Sequence, residues 1–149
     1  MVLIGFSSAE HLTGKAQIFL KWRGSLQQKP SILIIEQNPP TLELYRRELS
    51  RDFQVLACED SSQALALAST PNLAAVVLEP VLSNNLGWKL FDELREALKG
   101  RAVPIVLCST MDERKRGQEA GAADFLVKPV LPSILLETLH RVIQLSSKV

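Results

Sequence analysis

Five times after residue 30, a short aliphatic run gives way to a stretch with helical periodicity, and this alternation constrains the chain more than any other feature. The runs are SILII (31–35), FQVLA (53–57), AAVVL (74–78), PIVLC (104–108) and DFLV (124–127). A strand followed each time by a helix is the pattern of βα units winding a parallel sheet. Three of the runs are apolar nearly throughout, as strands covered on both faces require, whereas FQVLA is weaker and fits an edge. The expected fold is therefore α/β, a doubly wound sheet of five parallel strands.

The intervening stretches carry their own start and stop signals. Asn38 caps a helix with Pro39 at its first position, and Leu42, Tyr45 and Leu49 form its apolar face. A second helix is predicted over Ser61–Ser69, with Ala64, Leu65 and Ala68 inward. A third is predicted over Gly87–Leu98, with Leu90, Phe91, Leu94 and Leu98 at helical spacing. The fourth, Asp112–Ala120, is heavily charged and ends at Gly121, a residue suited to a left-handed terminus. The last begins at Pro132 and aligns Leu135, Thr138, Leu139, Val142 and Ile143.

Residues 1–30 fall outside this rhythm and read as an N-terminal extension to a domain spanning 31–149. Ser7 and Glu10 have the form of a capping box, and Leu12, Ala16, Phe19, Leu20 and Trp22 give a helix a broad apolar side before Gly24 and Pro30. Four cations, Lys15, Lys21, Arg23 and Lys29, stand there against Glu10, so the extension is basic. The whole chain is nearly neutral, with 17 basic and 16 acidic residues. No global field draws it to nucleic acid. Cys58 and Cys108 lie in strand-like runs and read as buried reduced thiols, which favours a cytoplasmic setting. No apolar run approaches the roughly 18 residues of a membrane span. His11 and His140 lack zinc-ligand spacing, no glycine-rich loop follows a strand, and Trp22 and Trp88 read as helix packing.

In an open parallel sheet, functional groups gather outside the carboxyl ends of the strands. Those ends carry Glu36 and Gln37, then Glu79, then Ser109 and Thr110, then Lys128. Taken singly, each has an ordinary structural explanation. Together they predict a shared polar pocket.

The blocks ILIIEQNPPTLELYRREL, VVLEPVLSNNLGWKLFDELR, PIVLCST and EAGAADFLVKPV resemble, in order and spacing, the signature blocks of response-regulator receiver domains. The resemblance covers about residues 31–145 and implies a flavodoxin-like fold. In that family an acidic pair after the first strand holds magnesium, and an aspartate ending the third strand accepts a phosphoryl group from a kinase's phosphohistidine. A Thr or Ser and a Lys ending the fourth and fifth strands bind that group. By position the acidic pair falls on Glu36 and Gln37, the acceptor on Glu79, the hydroxyl on Ser109, the lysine on Lys128 and the switch aromatic on Phe125. The resemblance also implies a cis bond between Lys128 and Pro129.

Here the sequence departs from the family. Gln37 removes a charge from the acidic pair, and each glutamate is longer than an aspartate by one carbon–carbon bond, about 1.5 Å. Magnesium demands near-ideal octahedral oxygen geometry. Binding through Glu36 and Glu79 is accordingly expected to be weak or absent. Phosphoryl transfer depends on positioning, and a misplacement of about 1 Å can cost roughly 10²-fold in rate. The expectation is a non-enzymatic pseudo-receiver, in which Glu79 reaches toward Lys128 and Ser109 and holds the pocket without phosphorylation. Its protein partner, or a second copy of the chain, is expected on the fourth helix, fifth strand and fifth helix. Two alternatives stay open: a phosphoacceptor using an atypical site, and a carrier domain for the basic N-terminal segment.

Overall fold

The computed structural model describes residues 14–15, 28–82 and 86–148. Five strands, β1 (Ser31–Ile35), β2 (Gln54–Cys58), β3 (Leu73–Leu78), β4 (Ile105–Ser109) and β5 (Asp124–Val127), form one sheet in the order β2-β1-β3-β4-β5. Every pairing is parallel. Five helices alternate with them: α1 (Pro39–Leu49), α2 (Ser61–Leu67), α3 (Gly87–Ala97), α4 (Arg114–Ala120) and α5 (Pro132–Ser146). The expected doubly wound sheet is what the chain forms.

Strand side chains alternate between two cores. Ile32 and Ile34 of β1 join Val77, Val106 and Cys108 under Tyr45 and Leu49 of α1 and Leu135, Leu139, Val142 and Ile143 of α5. Leu33 and Ile35 point the other way, with Val76, Leu78 and Leu107, against Ala64 of α2 and Leu90, Phe91 and Leu94 of α3. Period-two alternation in β1, β3 and β4 thus feeds two helical layers. β1, β3 and β4 are buried throughout, while β2, at the edge, is half-exposed. Both cysteines are buried and free.

Several boundaries differ from the sequence reading by one or two residues. Phe53 is not in β2, because its amide donates to Leu49 O at 2.9 Å in the turn that ends α1. β4 starts after Pro104, which has no N–H to give a ladder, and extends to Ser109, paired with Val127. Leu73 joins β3 by pairing with Ser31. α2 ends at Leu67 and α3 at Ala97, shorter than predicted because each last turn tightens onto i−3 carbonyls. α4 starts at Arg114 rather than Asp112, since the Asp112 carboxylate binds the Arg114 guanidinium and accepts from its amide.

The predicted punctuation is present elsewhere. Asn38 Oδ1 accepts from Thr41 N at 2.9 Å with Pro39 following, and Gly121 closes α4 at φ +91°. The five inward residues named for α5 are all buried. Trp88 is half-buried, edge-on to Phe91 and beneath the Arg116 guanidinium, 4.1 Å from the ring centre. Of the N-terminal extension, Gly14 and Lys15 are helical and Lys15 pairs with Asp52 at 3.2 Å. The proposed capping box, the remaining apolar face and Trp22 lie outside the described residues. Among those described, no helix is long and apolar enough to cross a membrane.

Candidate functional site at the carboxyl edge

The strand order reverses its direction of growth between β1 and β3, and ligand crevices of doubly wound sheets open at such a switch point. Glu36 leaves β1 and Glu79 leaves β3 at this place. The ladder continues one residue beyond each strand: Glu36 N donates to Cys58 O at 3.3 Å and Glu79 N to Ile35 O at 3.1 Å. Lys128 N donates to Ser109 O at 2.8 Å in the same way, and the Lys128–Pro129 bond that follows is cis. Three ionic side chains are thereby launched from backbone that the sheet holds still.

They meet. The Lys128 ammonium hydrogen-bonds Glu36 Oε2 and lies 3.0 Å from Glu79 Oε2. The other two carboxylate oxygens are also taken, Glu36 Oε1 by Asn38 N and Glu79 Oε1 by Val81 N, each at 2.9 Å. Side-chain exposure is 14% for Lys128, 6% for Glu36 and 8% for Glu79, so solvent screens the group little. Burial alone pushes the Lys128 ammonium toward losing its proton, but the hydrogen bonds it donates to Glu36 and Glu79 outweigh it and leave its pKa above the ordinary lysine value.

A cavity of about 430 Å³ opens over this cluster, lined by Glu36, Gln37, Asn38, Thr41, Glu79, Val81, Thr110 and Lys128. Five of the sequence-nominated residues, Glu36, Gln37, Glu79, Thr110 and Lys128, thus converge on one space. Gln37 sits at its exposed side, with Nε2 donating to Glu59 O at 3.4 Å. Ser109 does not line it. Its side chain is fully buried, and its hydroxyl accepts from Met111 N at 3.1 Å; the cavity is lined instead by the next residue, Thr110. Phe125 lies inward, against the site that α4 leaves clear by carrying Gly117: a Cβ there would stand 2.7 Å from Phe125 Cδ2.

Thr41 and Val81 were missed by reading strand ends alone. Spacing finds Val81, since each glutamate accepts a hydrogen bond from the amide two residues on, Asn38 N and Val81 N; Thr41 follows at one remove, because its amide and hydroxyl donate to the Asn38 side chain.

The magnesium implied by the family resemblance does not fit this donor set. Every oxygen of the two carboxylates already accepts a hydrogen bond or an ion pair, and Gln37 brings no charge. Among the described residues, no group of three or more His, Cys, Asp and Glu is placed to hold a metal.

The comparisons with known proteins agree with the fold. HprR, a transcriptional regulatory protein of Escherichia coli K12, is 35% identical over 106 residues, which cover 70% of this chain and 48% of HprR. The chain therefore spans about half the length of that relative. PilH of Pseudomonas aeruginosa is 28% identical over 116 residues, 75% of this chain and 96% of PilH. A CheY-like receiver from Methanospirillum hungatei superposes with a TM-score of 0.72 at 18% identity, covering 81% of this chain and 98% of that one, a likeness of fold alone. The response regulator receiver domain model matches residues 32–140, most of the chain, and the chain accordingly belongs to that family.

Proposed function

We propose that this receiver domain is a phosphorylation-independent signalling module, with Glu79 in the place of the phosphoacceptor. The observation that supports it is the closed ion cluster: Lys128 is engaged by Glu79 and by Glu36 at once. A phosphoryl group arriving at Glu79 has to draw the ammonium out of a buried ion cluster that it shares with Glu36. Removing a partner from a buried ion pair is strongly unfavourable.

On this reading the domain is not an enzyme. It works in the cytoplasm by presenting a surface whose shape the locked pocket fixes. The surface best suited to a protein partner, or to a second copy of the chain, is that of α4, β5 and α5. Leu131, Ile134 and Leu145 are exposed there, and Arg141 is tied to Asp124 across β5 and α5. Exposed apolar side chains rimmed by charge are the usual make-up of a protein-docking face.

The test is direct. The intact chain is incubated with a small phosphodonor and magnesium, and its mass is followed. The expected result is no covalent phosphate. Stoichiometric, alkali-labile phosphate mapped to Glu79 would overturn the reading.

A further inference from the structure

We infer that Lys128 is the resident cation of the carboxyl-edge pocket, occupying the charge-neutralising position between Glu36 and Glu79 and thereby excluding divalent metal from it. The inference rests on the closed-pocket reading above and extends it to what the site rejects.

Two buried carboxylates from adjacent strands need a counter-charge, because an unpaired buried charge is costly. The fold supplies one covalently. Lys128 is pinned at its backbone to Ser109 O, and its ammonium reaches the inner oxygen of both carboxylates. The outer oxygens are held by Asn38 N and Val81 N. All four oxygens are thus used. A magnesium-like ion needs several oxygens in near-octahedral array and gives up its waters reluctantly. To enter, it must expel the ammonium from two partners and bring its own charge beside the expelled one. Gln37, the nearest candidate to enlarge the donor set, contributes an uncharged amide.

The arrangement makes a reciprocal demand. With the ammonium removed and the stem kept, Glu36 and Glu79 become a pair of uncompensated carboxylates facing a cavity of about 430 Å³, and a divalent cation then has both reason and room to bind.

The experiment titrates Mn²⁺ into the full chain, read by calorimetry and by the free-Mn²⁺ resonance. Wild type and Lys128→Arg are expected to show no saturable binding below about 10⁻³ M, the weak end for carboxylate-built calcium sites. Lys128→Met is expected to bind at least about tenfold more tightly, one decade of affinity. Its melting temperature should rise with Mn²⁺ while that of wild type does not. Adding Glu79→Gln to Lys128→Met should abolish the gain. Saturable binding by wild type at the affinity of Lys128→Met overturns the inference, as does a Lys128→Met chain that is folded by circular dichroism and binds no metal. If Lys128→Met does not fold, the wild-type titration decides alone: saturable Mn²⁺ binding displaced by Mg²⁺ overturns the inference, and its absence supports it. Phosphate on Glu79 sinks the closed-pocket reading whether or not metal binds. Saturable Mn²⁺ binding by wild type without phosphate sinks this inference alone.

Discussion

At the scale of single residues, two glutamates and one lysine make one unit whose members are not interchangeable. Glu36 gives one oxygen to Lys128 and the other to Asn38 N. Its replacement by alanine removes half of the lysine's counter-charge and orphans an amide at the start of α1. The Lys128 ammonium, 14% exposed, is then left with one carboxylate, and a buried donor short of a partner costs about 1–3 kcal/mol. Glu36→Ala should lower the stability of the chain by that amount in urea titrations with an unchanged slope, and Glu36→Gln, which keeps an acceptor oxygen, by less. Equal losses for the two would mean that the side chain acts by volume alone. All three positions were legible from the sequence, because carboxyl ends of parallel strands are where polar residues converge. The role of Ser109 was not. Its hydroxyl turns back to the Met111 amide, a choice made by the loop after β4.

At the scale of elements, the loop between β3 and α3 is where local sequence and packing are most tightly bound. Glu79 leaves the strand, Val81 N folds back to it, and α3 begins at Gly87 against the backbone of Pro80. A Cβ at Gly87 would fall on the Pro80 carbonyl oxygen, which cannot swing aside as a flexible side chain can. Gly87→Ala therefore has to push α3 away from the loop that carries Glu79. Overpacking of this kind costs about 1–3 kcal/mol. The expected result is a lower urea midpoint together with faster amide exchange in the first turn of α3 and in residues 79–82. A midpoint within error of wild type would show that the loop yields freely. The sequence marked Gly87 as the start of a helix but carried no sign of the Pro80 contact, which arises only in the packed fold. Element boundaries were displaced for similar reasons: Phe53, Pro104 and Asp112 each have a hydrogen-bonding duty, or an absent donor, that periodicity does not register.

At the scale of the whole molecule, burial sets the response to pH. The Cys108 thiol is pushed by burial from its ordinary 9.0 up to about 12, Cys58 from 9.0 to about 11, and Tyr45 from 10.0 to about 12, again chiefly by burial. Lys128 is also raised, burial opposing and the Glu36 and Glu79 bonds prevailing. For each group the native state keeps a proton that the unfolded chain releases first. Their contribution is complete below the unfolded values and is lost as pH climbs through the native ones. The urea midpoint should accordingly begin to fall at about pH 9 and keep falling toward about pH 12. A midpoint unchanged between pH 9 and 11 would mean that these groups are reached by water in the folded chain. Cys58 and Cys108 should remain unreactive toward thiol reagents until the chain unfolds.

The amino-acid sequence by itself determined the alternation of strands and helices, which face turns inward in four of the five helices, and the polar residues that stand at the strand ends. These follow from periodicity and capping, which act over a few residues. Only the tertiary structure decided that Glu36 and Glu79 share the ammonium of Lys128, 92 positions beyond Glu36, and that Thr110 rather than Ser109 lines the cavity. The reason is physical. Helix and strand periods are written in neighbouring residues, whereas the pairing of buried charges depends on where five strands are placed in one sheet, and on which oxygens the backbone has already taken.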